Sequence, residues 1–420
     1  MDIHIGDART KMLTLIRNRR QGFSLEQPFY TDPDFFQLDM ELIWYRDWLF
    51  VGHDCEIAKP GSYFTLQVGD HPVVIVRGRD GVIRALHNPC RHRGSRVCTA
   101  HKGVAAKLVC PYHQWTYDLD GSLVFAREMS EDFCKEDFGM KPVACESVAG
   151  YIFICLADEP ADFAPFRAIM EPYFAPHNLL NTKVAHETTI IEKGNWKLIW
   201  ENNRECYHCA ANHPELCKTF PEAPGATGVP SVESDPEMVA HWQHCEDAGL
   251  PARFHLDDAG QYRATRAPLL RDAVSYTMTG KRAVARNLSD SVSADRIGTL
   301  MLYHYPTTWN HVLIDHATTF RVLPISATET ALTTKWLVHK DAVEGVDYTV
   351  DELTHVWSMT NDEDRRIVEE NAFGIKSPAY QPGPYSPIHE GGVMQFVDWY
   401  ADFIGTRLEE AKSAKQRKVA

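Results

Sequence analysis

Two short motifs limit what this chain can be more than anything else in it. Cys90-Arg91-His92 and Cys110-Pro111-Tyr112-His113 lie seventeen residues apart, each in a loop that follows a strand-like run. Two thiolates and two imidazoles converging from two hairpin tips fit either a zinc ion or a two-iron cluster with both cysteines on one iron and both histidines on the other. The order of the ligands separates the two. Zinc fingers pair Cys with Cys and His with His. Here each loop supplies one of each, as a cluster needs if both loops are to reach both irons. Four ligand residues at two tight spacings argue against loops that bind nothing.

A second group stands at residues 200–214, WENNRECYHCAANHP. A helical pattern runs from Trp196 to about Ala211, and on it Glu205 and His208, three apart, share a face. His213 comes just before Pro214, which disrupts the helix and lets the ring swing in beside His208. Two imidazoles and one carboxylate on one face of a metal form the facial triad of non-haem iron oxygenases. The plain alternative is two structural histidines on a helix. Cys206 and Cys209 look like half a zinc site, but no second pair lies near them, and they read as packing thiols.

The rest of the chain gives the frame. A basic helix over residues 9–20 leads to a turn and helix cap at Thr31–Asp34, then to the amphipathic run FFQLDMELIWYRDWLF. From about residue 51 short strand-like runs alternate with Gly and Asp turns, as in a small antiparallel β domain. Past Pro160 come a helical stretch, the strand-like HETTIIEKG and the helix already named. Residues 221–295, rich in Pro, Gly, Ser and Asp, read mostly as irregular loops. A second β region follows, and two helices, 349–372 and 393–412, close the chain. The expected class is α+β. A helical segment over 1–50 packs with the catalytic region, 51–155 is the small β domain, and 156–420 carries a central antiparallel sheet flanked by helices.

Composition narrows the functions. The chain has 420 residues and a net charge of −14, against the basic footprint of a nucleic-acid binder. No stretch approaches the roughly 18 uncharged apolar residues of a membrane span, and the N-terminus does not resemble a secretory signal. The eleven cysteines, an odd number, are too sparse for a disulfide scaffold and are expected to be thiols in a cytoplasmic protein. No GxGxxG fingerprint sits in a strand–turn–helix setting, which is consistent with any nucleotide-binding reductase being a separate protein.

NPCRHRGS at 88–95 and CPYHQWTYDLDG at 110–121 resemble the Rieske [2Fe–2S] domain of the ring-hydroxylating oxygenase family. The resemblance runs over about residues 20–410. It implies that Cys90 and Cys110 bind one iron of the cluster, and His92 and His113 the other. The family's Asp/Glu-X2-His-X4-His pattern is matched by Glu205, His208 and His213. It implies His208 and His213 as ligands of a mononuclear Fe(II), with a distal Asp on a late helix. TNDEDRRIVEENAFG offers Asp362, Glu363 and Asp364. Counting back ten residues from Gly374 favours Asp364 and leaves the other two open. Glu205 is implied to bridge a cluster histidine of one subunit to an iron histidine of its neighbour, in a ring that is most simply a homotrimer. The implied partners are dioxygen and a flavin- and ferredoxin-type reductase.

Within the family, SLEQPFYT, ENNRECYHCAANHPEL and SPAYQPGPYS look most like the branch that demethylates small quaternary amines. Glycine betaine is the favoured substrate, with stachydrine or carnitine next. A quaternary ammonium offers no hydrogen-bond donor and must be held by aromatic faces and shape. Tyr207, Phe220, Trp242, Tyr303, Tyr305, Trp309 and Phe320 are available for that. Arg321 and His304 are among the groups that a betaine carboxylate would want. The rival readings are an aromatic-ring dihydroxylating dioxygenase, a Rieske electron carrier without its own catalytic iron, and a zinc-binding module.

Overall fold

The computed structural model describes residues 2–221, 235–292 and 294–419. The chain divides into two units, Trp44–Arg167, and Met1–Ile43 together with Ala168–Ala420. The boundaries therefore fall at 43/44 and 167/168 rather than at 50/51 and 155/156. The amphipathic run is the reason at the first of them. It stays helical only through α3 and a π turn ending at Trp44, and its last two residues, Leu49 and Phe50, open a strand.

The N-terminal segment holds α1 (Asp2–Asn18), α2 (Pro28–Thr31) and α3 (Pro33–Asp39). Asp32 starts α3. Its backbone is extended, its side chain accepts from the Asp34 amide, and Pro33 takes the first helical position.

The smaller unit is built of β1 (Leu49–His53), β2 (Ser62–Val68), β3 (His71–Arg77), β4 (Ile83–His87), β5 (Lys102–Val104), β6 (Leu108–Val109), β7 (Thr116–Tyr117), β8 (Leu123–Phe125), β9 (Pro142–Val148) and β10 (Tyr151–Cys155). Seven strands form one antiparallel sheet in the order β1-β10-β9-β4-β3-β2-β5, and β6-β7-β8 form a second. Strand β2 buries alternate residues, Ser62, Phe64, Leu66 and Val68, as a period of two requires. Val74, Val76 and Leu86 of the large sheet and Leu108, Tyr117 and Leu123 of the small one share a core that also takes in Cys90, Cys98 and Cys110.

The larger unit continues through α4 (Ala164–Phe174), whose first turn lies before the division. Its further helices are α5 (Trp196–Asn203), α6 (Cys209–Asn212), α7 (Pro236–Asp247), α8 (Val350–Ile375) and α9 (Gly391–Val419). Its strands are β11 (Thr182–Glu192), β12 (His255–Leu256), β13 (Tyr262–Ala267), β14 (Thr299–His304), β15 (Thr308–Val312), β16 (Ala317–Ser326) and β17 (Glu329–His339), in one antiparallel sheet ordered β11-β17-β16-β15-β14-β13-β12. Every residue of β14 and β15 is buried, so both faces of the middle of the sheet are covered.

Residues 221–295 are mostly irregular where described, as expected, although α7, β12 and β13 lie within them; 222–234 are outside the described residues. The α7 signals were present: Asp235 caps it, Pro236 follows, and Met238, Trp242 and Cys245 repeat at helical spacing and are buried. The helix expected over 196–211 is broken at 204–208, because the Glu205 carboxylate accepts from the Tyr207 and His208 amides and competes with the helical ladder.

Asp39 fixes the N-terminal segment to this unit. Its carboxylate pairs with the Lys197 ammonium and accepts from Trp196 Nε1 at 3.1 Å and Tyr400 Oη at 2.7 Å, with both charges wholly buried. Losing one partner would strand the other charge, at a cost of about 3–5 kcal/mol. Among the described residues, no helix is long and apolar enough to cross a membrane.

Candidate metal centres and active site

In the smaller unit the two Cys–His loops share one backbone design. The Ser95 carbonyl accepts from the Cys90 amide and the Gly94 amide donates back to the Cys90 carbonyl; Trp115, Cys110 and Gln114 repeat the pattern. Each loop turns through a left-handed residue, Gly94 (φ 80°) and Gln114 (φ 61°). The result puts Cys90 and Cys110 inside, at 4% and 1% exposure, and His92 and His113 outside with their rings 4.6 Å apart. His92 lies flat on Trp115, at 4.9 Å and 7°. Both cysteines are free thiols, and Tyr117 Oη lies 3.2 Å from Cys90 Sγ while accepting from the Arg91 amide. Burial pushes the Cys90 thiol up, so a metal must displace its proton. Two buried sulfurs and two surface imidazoles from paired loops fit a two-iron cluster of the mixed-ligand kind.

In the larger unit His208 stands at the start of α6, His213 at its end, and Asp364 on α8. His208 Nε2 and His213 Nε2 are 3.0 Å apart, and Asp364 Oδ1 is 3.3 Å from the first and 3.0 Å from the second. Metal bonds of about 2.1 Å at right angles put donor atoms about 3.0 Å apart, so the three atoms are spaced as one face of an octahedron. Asp364 Oδ1 is buried and has no hydrogen-bond partner besides the two facing ring nitrogens, as expected of an oxygen that shares a cation with them. The residues fit a single iron.

Behind each imidazole stands a carboxylate. Glu205 Oε1 is bonded to Nδ1 of His208, and Glu363 Oε2 lies 2.8 Å from Nδ1 of His213. A carboxylate only accepts, so Nδ1 carries the proton on both rings and Nε2 keeps its lone pair for the metal. Asp362 turns away to Arg365, at 2.9 Å. Burial opposes protonation of His208, but without a metal between them the carboxylates of Asp364 and Glu205 outweigh it and raise the group to about 10, so iron must displace a proton from Nε2 to bind there. The same contest ends with His213 raised and Asp364 lowered. Glu192, on the facing strand β11, is pushed up to about 8 by burial and then by the charge of Asp364, so it is protonated at neutral pH.

Cys206 and Cys209 correct the sequence reading. They form a disulfide, with Cα atoms 4.9 Å apart, rather than two packing thiols. Cys209 Sγ lies within 4.8 Å of both imidazoles, but a sulfur already bonded to sulfur is not a thiolate ligand.

A cavity of about 80 Å³ opens onto His208, His213 and Asp364. Of the aromatic residues expected near a substrate, Phe220, Tyr303 and Trp309 wall it. Phe320 stacks behind Trp309 at 4.9 Å. Tyr207 is exposed on His389, Trp242 donates to the Arg266 carbonyl, and Tyr305 packs on Trp200 and Trp399, all away from the cavity. Sequence reasoning missed Trp357 of α8, which also walls it, and missed its cations. Arg204 and Arg263 line the cavity; Arg321 and His304 do not.

The comparisons agree with this geometry. The model for the Rieske [2Fe–2S] domain matches residues 47–143, and that for the ring-hydroxylating alpha subunit catalytic domain matches 179–406. The chain is similar to the glycine betaine monooxygenase oxygenase subunit of Pseudomonas aeruginosa, 48% identical over 98% of this chain and 96% of the relative. That of Chromohalobacter salexigens is 47% identical over 97% and 92%. A quaternary ammonium Rieske monooxygenase solved with gamma-butyrobetaine has the same fold, with a TM-score of 0.69 over 93% of this chain and 98% of that one at 23% identity. With both domains matched and both ligand sets assembled, the chain belongs to the Rieske non-haem iron oxygenases as an oxygenase alpha subunit, a family that carries a [2Fe–2S] cluster and a mononuclear iron.

Proposed function

We propose that this chain is the oxygenase component of a monooxygenase that hydroxylates an N-methyl group of glycine betaine and releases formaldehyde and the demethylated amine. The observation that carries the reading is the cavity over His208, His213 and Asp364, lined by the aromatic side chains Trp309, Trp357 and Phe220. Aromatic rings suit a quaternary ammonium, which offers no hydrogen-bond donor. The relatives named for glycine betaine support the choice among amines.

The cluster, held by Cys90, Cys110, His92 and His113, would supply single electrons, and an iron held by His208, His213 and Asp364 would supply dioxygen activation. The chain's own residues do the rest. Glu205 and Glu363 hold the Nδ1 protons and fix both rings. The aromatic walls orient one methyl group and exclude water. Once that methyl carries a hydroxyl, its C–N bond breaks, nitrogen keeps the electron pair and takes up a proton, and the hydroxyl proton leaves with formation of formaldehyde. The balance needs two electrons and two protons per dioxygen, with the second oxygen leaving as water. A flavin- and ferredoxin-type reductase supplies the electrons from NAD(P)H. Glu205 also accepts from a cluster histidine of the neighbouring subunit, in a cytoplasmic homotrimer.

Product analysis tests this. Purified protein with a surrogate reductase is given glycine betaine, stachydrine and carnitine, and formaldehyde is measured. Release from glycine betaine in preference to the others is expected. A cis-diol from an aromatic substrate with no formaldehyde from any amine would overturn the reading.

A further inference from the structure

We infer that Arg263 anchors the substrate's carboxylate, so that the cavity selects a zwitterion with carboxylate and quaternary ammonium close together over a trimethylammonium compound without an acid. The inference rests on the demethylase reading and deepens it.

The sheet sets out the two charges' sites in one row. Arg263 on β13 pairs with Tyr303 on β14, Tyr303 with Trp309 on β15, and Trp309 with Phe320 on β16. Directly paired residues project to the same face, so the row runs from a cation at one side to aromatic faces at the other. The Arg263 guanidinium lies 5.0 Å from the Tyr303 ring centre, which carries its charge one strand inward. From there the Trp309 position is a single strand spacing away, about 4.8 Å. That interval suits a short betaine, whose two charged groups are separated by one methylene.

The ends of the cavity differ in the same sense. Trp309 and Trp357 also wall a second small cavity beside Asp364, which neither Arg263 nor Arg204 reaches. The ammonium therefore belongs at the iron ligands and the carboxylate at the arginines, an orientation that presents a methyl group for oxidation. Arg204, whose guanidinium lies 4.3 Å from the same Tyr303 ring, adds a second positive charge at that end. Both arginines are buried, at 3% and 4% exposure. Two desolvated guanidiniums close together favour an anion, and the planar fork of Arg263 matches a carboxylate with two parallel hydrogen bonds. Burial, and then the charge of Arg204, lower Arg263 to about 9, a strain that a bound carboxylate relieves.

The test compares glycine betaine with choline, which keeps the trimethylammonium group and replaces the acid by an alcohol. Binding to the metal-loaded enzyme is followed by calorimetry and by tryptophan fluorescence, beside formaldehyde release. Wild type should bind glycine betaine about 10- to 100-fold more tightly than choline, the range of a charged hydrogen-bonded pair. Arg263→Gln should weaken glycine betaine by a similar factor, leave choline within about threefold, and so erase the preference; Arg263→Lys should fall between. Wild type binding choline as tightly as glycine betaine would overturn the role of Arg263 without any variant. So would an Arg263→Gln protein that keeps the cluster spectrum and an unchanged preference. Absence of formaldehyde from glycine betaine in wild type would overturn the demethylase reading itself, whereas formaldehyde with an unchanged preference in the variant overturns only the anchor.

Discussion

Glu363 Oε2 lies 2.8 Å from Nδ1 of His213, while the next residue, Asp364, turns Oδ1 to Nε2 of the same ring. Two adjacent acids on α8 thus address opposite edges of one imidazole, one orienting it and one sharing its metal. Glu363→Gln keeps the size and removes the obligate acceptor. Iron affinity should fall about 10- to 100-fold, as is usual when the group behind a metal-bound imidazole is lost. The Rieske signal should persist. Iron titration followed by metal analysis checks this, and an unchanged affinity would remove Glu363 from the site.

Glu205 occupies the matching position behind His208. Glu205→Gln should leave both metal sites filled and slow transfer from reduced cluster to iron by orders of magnitude, because the charged acceptor between two imidazoles is lost. Rapid mixing of reduced protein with oxygen and substrate measures that rate. Sedimentation should give a mass near three chains for wild type and variant alike. A fully active monomer would end the bridging role.

The cluster makes a separate prediction. Cys90→Ser or His113→Ala should abolish the visible absorption and the Rieske paramagnetic signal, since a missing ligand exposes the irons to loss. Normal spectra in both variants would mean the ligands lie elsewhere.

Glu201 ties stability to pH. Burial, against hydrogen bonds from Tyr30 at 2.8 Å and Tyr385 at 3.0 Å, raises its carboxyl from 4.5 to about 7. The unfolded carboxyl loses its proton near 4.5 and the native one only near 7. Stability from this group is therefore complete below 4.5, declines as pH rises, and is lost above about 7. The full change is on the order of 3 kcal/mol. Glu201→Gln should flatten the denaturation midpoint between pH 5 and 7 relative to wild type. A parallel pair of curves would contradict the assignment.

What could be read from sequence was chemistry placed by short spacing. The Cys–His loops and the 205, 208, 213 pattern are local, so counting residues found them before any fold was known. The choice between Glu363 and Asp364 was not local, because it depends on how α8 is rotated against α6, and both acids turn out to touch His213. Arg263 was missed for a similar reason. It sits in a stretch with a loop-like composition, and β13 is a strand only because it pairs with β14, which begins more than thirty residues later. The break at 204–208 was hidden because a side chain, Glu205, competes for backbone amides that a helical pattern assumes are engaged.

The most direct test of the two-centre account is a single turnover without a reductase. Protein reduced at the cluster and loaded with iron is mixed with oxygen and glycine betaine, and cluster oxidation and formaldehyde are followed together. Wild type should couple the two, while Asp364→Ala, with a normal cluster spectrum but without its mononuclear iron, should release no formaldehyde. Formaldehyde from Asp364→Ala at the wild-type yield, or none from fully loaded wild type, would contradict the account.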